Sequence, residues 1–228
     1  MNILFLSSHW LGEEALEYLV QCNGWDDISG KLNGQLDPYP EQYDMGISFL
    51  YNYLIPAEQL TKDRVWINFH PAPLPEYRGR NVGYHAILNG EKEFGATLHY
   101  VDKTFDTGDI IEVRRFPILR SDHAGDVTRN ARDTSLQMFK DWMPRFLKGE
   151  KPMGFRQIGG TYYKKTPINP NVLLLSEQIL QIRAITAPPH YAETTIEGVK
   201  YVIQPASECN HPDHESSGNA QGNPDRTV

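Results

Sequence analysis

Three apolar runs, at 2–7, 45–51 and 65–69, have the length of buried strands, and positions 11, 15, 16, 19 and 20 between the first two are apolar at helical spacing. This strand–helix–strand order constrains the chain most. Parallel strands need a crossover, a helix is the usual one, and the outcome is an α/β sheet. Such sheets place ligands beyond the carboxyl ends of their strands. Residues 22–44, rich in Gly, Asp, Asn and Pro, read as an irregular connection. The prolines at 71, 73 and 75 exclude a helix interior or a central strand. Beyond them, 81–88 reads as a helix ended by Asn89-Gly90 and 96–101 and 110–118 as strands. A long helix is expected over 126–147, stopping at Gly149, and a short one over 176–185. Residues 191–203 carry a hairpin signal around a glycine. The chain therefore divides into a main domain over 1–170, a helix-and-hairpin appendage over 171–206, and a polar tail over 207–228 that is expected to be disordered.

The net charge of −7 argues against a phosphate backbone as the main partner, because that task needs a basic face. It leaves room for a local basic pocket. No run approaches the ~20 apolar residues of a membrane span, and "MNILFLSSHW" has no basic segment of the secretory kind. Two cysteines, Cys22 and Cys209, make no disulfide framework, which fits a reducing cytoplasm. "CNHPDH" at 209–214 has ligand-type side chains but lies in the polar tail, so no metal is expected there.

Asn68 and His70 lie two apart at the end of the 65–69 run, so their side chains share one face of a strand. An amide and an imidazole so placed can serve as oxyanion donor and proton acceptor. The same two residues also suit plain structural tasks, capping the strand and satisfying the proline loop. Asp106 follows His70 by 36 residues in "FDTGD", which is also ordinary turn chemistry. Were that loop to fold back onto the strand end, its carboxylate would stabilise the imidazolium and strengthen the base.

Residues 68–111, "NFHPAPLPEYRGRNVGYHAILNGEKEFGATLHYVDKTFDTGDII", resemble the core of the folate-dependent formyltransferases. The Asn-x-His pair of that family falls on Asn68 and His70, and its loop aspartate on Asp106. The proline loop, "YRG", "ILNG" and "DTGD" follow in order. Weaker resemblance runs from residue 1 to about 203. It implies a truncated Rossmann-like formyltransferase domain, since Asn68 comes sooner than is usual in the family and at least one Rossmann unit is expected to be missing. The cosubstrate implied is 10-formyltetrahydrofolate, with no metal. Asn68 would hold the oxyanion and His70 would move protons. Asp106 would fix the tautomer and orientation of His70. "SFLYNYLI" resembles the segment lining the family's folate slot, which makes Tyr51, Asn52, Tyr53, Leu54 and Ile55 folate candidates, with Phe105 closing the other side. A core strand end is the plain alternative for that segment.

Among the branches of the family, "SSHWLGEE" lacks the Gly-rich phosphate loop of the glycinamide ribonucleotide enzymes. A tRNA branch would need a C-terminal β-domain, and the acidic balance opposes it. The sugar-nucleotide branch resembles the chain best, and implies a dTDP-linked amino-dideoxy sugar, dTDP-4-amino-4,6-dideoxyglucose first, for surface glycans. Tyr77, Arg78, Arg80, Tyr162, Tyr163 and Lys164 are its candidate nucleotide ligands: arginine forks suit phosphate, tyrosine stacks on a base, and lysine meets a phosphate. Arg78 equally suits loop anchoring, and "GGTYYKK" a solvated strand edge. His85 and His99 are expected to be structural. The hairpin wants a partner surface, which points to a homodimer. A methionyl-tRNA formyltransferase, a non-catalytic folate-binding protein and a hydrolase are the competing functions.

Overall fold

The computed structural model describes residues 1–165 and two further strands, 192–196 and 199–203. The helix expected over 176–185, the tail over 207–228 and Cys209 lie outside the described residues.

The centre is a six-stranded sheet in the order β2-β1-β3-β4-β6-β7. β1 (Ile3–Ser7), β2 (Ile28–Leu32), β3 (Met45–Phe49) and β4 (Val65–His70) are mutually parallel where they pair. β6 (Glu93–Tyr100) runs antiparallel to β4, and β7 (Ile110–Pro117) antiparallel to β6. α1 (Leu11–Asn23) follows β1, α2 (Val82–Leu88) follows β5 (Tyr77–Gly79), and α3 (Ala124–Leu147) follows β7. A second, two-stranded sheet pairs β5 in parallel with β8 (Thr161–Tyr163). β9 (Ala192–Ile196) and β10 (Val199–Ile203) form the hairpin read from 191–203.

Every residue of β1 and β3 is buried, as parallel strands covered on both faces require. On one face α1 and α3 supply the cover. The Phe139 ring of α3 meets Phe5, Phe49 and Phe69 at centroid separations of 6.0, 5.4 and 5.2 Å, mostly edge-on or tilted. On the other, Leu4, Leu6, Tyr43, Ile55 and Trp66 form a core closed by loops.

The stretch 22–44 differs from its sequence reading, because it contains β2. That strand reads ISGKL, and its three middle residues are exposed at the sheet edge. An edge strand with little to bury leaves no apolar run to detect. The crossover from β2 to β3 then returns without a helix, so the shortening expected in this region takes the form of a strand and a loop. α3 begins two residues earlier than expected. The His123 ring accepts from the Asp126 N–H, and the Asp126 carboxylate accepts from the His123 N–H, which completes a capping box. Among the described residues, no helix is long and apolar enough to cross a membrane.

Candidate active site

β4 ends in the middle of the sheet, between β3 and β6, and its last turn of chain carries Asn68 and His70. The proline loop beyond it is tied down by Thr97 on β6. The Thr97 hydroxyl donates to the Ala72 carbonyl (2.7 Å) and accepts from the Leu74 N–H (3.0 Å). The loop that leaves the strand end is therefore held against β6.

The Asn68 amide has a defined orientation. Its Oδ1 accepts from the Ser48 hydroxyl of β3 at 2.7 Å. Its Nδ2 lies 2.9 Å from His99 Nε2 on β6. His99 Nδ1 is 2.6 Å from the Tyr100 carbonyl, which only accepts, so Nδ1 carries the hydrogen and Nε2 takes one from Asn68. Burial lowers the His99 pKa to about 4, which keeps the ring neutral and Nε2 an acceptor at neutral pH. One Nδ2–H of Asn68 is spent on His99, and the other remains for a ligand.

His70 is buried, and its Nε2 is 2.9 Å from the Tyr77 carbonyl. The Tyr77 carbonyl therefore holds the tautomer, the task the sequence reading gives to Asp106. The Asp106 Oδ1 lies 3.4 Å from His70 Nδ1, beside the nitrogen left free to take a proton. Its Oδ2 accepts from the Gly79 N–H at 3.0 Å. The loop folds back because Asp106 adopts a left-handed φ of 57° and because only glycine fits at 108, where a Cβ would stand 1.9 Å from the Tyr100 carbonyl oxygen. Asn68, His70 and Asp106 all line one cleft of about 780 Å³. Such a volume suits a cosubstrate of folate size or a nucleotide.

Residues 32–143 match the Formyl transferase family model. Over those residues, just under half of the chain, the sequence is similar to the formyl transferase family. A methionyl-tRNA formyltransferase of Lysinibacillus sphaericus is 36% identical over 107 residues, which are 46% of this chain and 34% of that one. The chain thus spans about a third of the length of the curated relatives it matches. Among solved structures, one described as a likely sugar N-formyltransferase from Mycobacterium tuberculosis superposes with a TM-score of 0.74 at 22% identity, covering 89% of this chain and 96% of that one. An N-formyltransferase from Helicobacter canadensis, in complex with folinic acid and dTDP-3-aminofucose, gives 0.73 at 23% identity, covering 88% and 86%. These two likenesses show the shared formyl transferase fold, and it has the Rossmann-like α/β form read from the sequence.

Of the folate candidates, Tyr51, Asn52 and Phe105 line the cleft. Tyr53 and Leu54 are exposed, and Ile55 is buried in the second core. Of the nucleotide candidates, Arg80 and Tyr162 line the cleft. The Arg80 guanidinium donates to the Asn52 carbonyl at 2.8 Å. Tyr77, Arg78, Tyr163 and Lys164 are not among its lining residues. Tyr77 is buried between Tyr163, stacked at 5.2 Å, and Phe94. Arg78 donates to the Gly160 carbonyl at 3.2 Å. Tyr163 stacks on His85 at 4.2 Å.

The cleft also has an arm that the sequence reading did not find. His9 and Trp10 enter it from the start of α1, and Arg129 and Arg132 from α3. The Trp10 indole is two-thirds exposed. His9 Nδ1 accepts from the Leu11 N–H at 3.2 Å, and burial, helped by the Arg132 charge, lowers its pKa to about 4. The same burial lowers the pKa of Arg132, a cost that a bound anion relieves.

Proposed function

We propose that the protein transfers the formyl group of 10-formyltetrahydrofolate to the amino group of a dTDP-linked amino-dideoxy sugar, with dTDP-4-amino-4,6-dideoxyglucose the first substrate to test. The observation that carries this reading is the convergence of the spare Asn68 N–H, His70 Nδ1 and the Asp106 carboxylate on one cleft. The match of residues 32–143 to the Formyl transferase family model supports the reaction class.

In the reaction, the amine nitrogen bonds to the formyl carbon, and the carbonyl oxygen becomes an oxyanion. The spare Asn68 N–H donates to it. His70 Nδ1 takes the proton the amine sheds, and the Asp106 carboxylate stabilises the imidazolium so formed. The bond from the carbon to the folate nitrogen then breaks, and that nitrogen receives the proton. A formamide and tetrahydrofolate leave. Tyr51, Asn52 and Phe105 are the folate-facing residues of this scheme. Trp10 with Arg129 and Arg132 suits an aromatic base and its phosphates, joining Arg80 and Tyr162. Under this reading the protein works as a cytoplasmic homodimer on small molecules, with neither nucleic acid nor membrane as partner, and its product enters surface glycans.

Incubation of purified protein with 10-formyltetrahydrofolate and dTDP-linked 3- and 4-amino sugars, read by mass spectrometry, is the test. A nucleotide product heavier by one CO supports the proposal. Failure with every amino sugar overturns it. The curated relatives favour one second reading, formylation of methionyl-tRNA, and charged tRNA belongs in the same assay. The net charge of −7 weighs against it. Formate release without an amine would indicate a hydrolase.

A further inference from the structure

Asp106 is held by neither helix nor strand. It lies in the loop between β6 and β7 with a left-handed φ of 57°, a conformation that aspartate adopts more readily than most non-glycine residues and that the loop's contacts must hold. Within the loop, Asp102 Oδ1 accepts from the Thr104 N–H at 3.1 Å and from the Thr107 hydroxyl. Those contacts shape residues 102–107 but do not reach the carbonyl groups of Asp106 and Gly108.

Gln157 does. Its Nε2 donates to the Asp106 carbonyl at 3.0 Å and to the Gly108 carbonyl at 2.7 Å. The two carbonyls, two residues apart, converge on one side-chain amide that can give a hydrogen to each. The amide cannot turn over, because its oxygen would then face both carbonyls. In the observed orientation Oε1 is buried without a hydrogen-bond partner, so the arrangement serves the nitrogen. Gln157 is itself anchored two residues away, where Phe155 and Ile110 exchange backbone hydrogen bonds of 2.8 Å in both directions.

We infer that Gln157 is the positioning residue of the site: its amide clamps the backbone on either side of Thr107 so that the Asp106 carboxylate stands beside His70 Nδ1. The inference rests on the formyl-transfer reading, and its test separates the two. Gln157→Met keeps the length and removes the donor. Gln157→Glu keeps the shape and donates only when protonated.

The first measurement needs no substrate. Imidazole nitrogen shifts of His70, recorded by NMR in the wild type and in Gln157→Met, are expected to differ, because the carboxylate has moved. The second is kinetic. Gln157→Met is expected to lose roughly tenfold in kcat with both KM values within about twofold. Relative to wild type, Gln157→Glu is expected to gain activity as pH falls, while the Gln157→Met ratio stays flat. Unchanged His70 signals in Gln157→Met, or Gln157→Met and Gln157→Glu ratios that are both flat with pH, overturn the inference. If Gln157→Met does not fold, the pH ratio of Gln157→Glu decides. Wild-type protein that forms no formamide defeats the formyl-transfer reading instead, and the NMR comparison still decides the role of Gln157.

Discussion

The neutral state of His99 makes a quantitative prediction about acid stability. The ring is 2% exposed, and its enclosure holds the pKa at about 4, against an ordinary 6.5. The Asp106 charge offsets part of that, and the His70 charge adds to it. The unfolded chain takes up a proton between about 4 and 6.5 that the folded protein refuses. The stability from His99 is therefore complete above pH 6.5 and is lost as pH falls below it. At 1.36 kcal/mol per pH unit, the loss reaches about 2 kcal/mol near pH 5 and tends to about 3 kcal/mol below pH 4. His99→Gln removes the titration while keeping a carbonyl that can accept from Asn68. Urea unfolding at about pH 7.5 and about pH 5 measures both proteins. His9 and His85, also lowered by burial, contribute equally to each and cancel in the difference. The wild-type midpoint is expected to fall by roughly 1 M more than that of His99→Gln, for an m-value near 2 kcal/mol/M. Equal falls in the two proteins would refute the reasoning. Acid should also act on turnover. A protonated His99 Nε2 becomes a donor, and Asn68 must then turn its oxygen toward it, which removes the spare N–H from the cleft.

Three further outcomes are expected. Asn68→Ala should lower kcat by roughly 10²–10³-fold while the protein unfolds near the wild-type temperature, since an oxyanion donor acts in the transition state; a steady-state assay beside a thermal melt reads both. Arg132→Met should raise KM for the sugar nucleotide roughly tenfold and leave kcat near its wild-type value, as expected for a charged contact made equally in ground and transition states; initial rates at saturating folate show it. Phe139→Ala, which empties the space among Phe5, Phe49 and Phe69, should cost about 3–5 kcal/mol in urea unfolding.

Much of this architecture was legible because burial leaves a periodic trace. β1, β3 and β4 are filled by apolar side chains and are readable as runs, and α3 keeps apolar residues at 127, 131, 138, 139, 142, 143 and 146. β2 was not, since it buries too little, and β5 has only three residues at the end of the proline loop. Asn68 and His70 were legible as a pair because strand alternation alone puts them on one face. The place of Asp106 was not readable from spacing, since it depends on a left-handed residue, on a close approach at Gly108 and on donors from Gly79 and Gln157, far apart in the chain. His99 reads as a structural strand histidine, and it is one, but its contact with Asn68 exists only through the register that sets Asn68 opposite His99.

The Trp10–Arg132 arm shows a different limit. Charges on a long helix read as a solvated face, and Arg129 and Arg132 carry no mark that separates them from Lys140 or Arg145. One trace was available. Gly125, Thr128 and Arg132 fall at i, i+3 and i+7, so they share one face of α3, and the two nearest its start have small side chains. Small side chains beside an apolar stripe leave a groove where large ones would fill it. All three residues line the cleft. Whether such a groove is a site or merely a loose surface depends on what stands opposite. Here that is the start of α1, delivered by β1, and β1 lies two strands from the strand that carries Asn68. Asn68 and the arginines of this arm are thus brought to one cleft through the sheet order, which no local window of sequence contains.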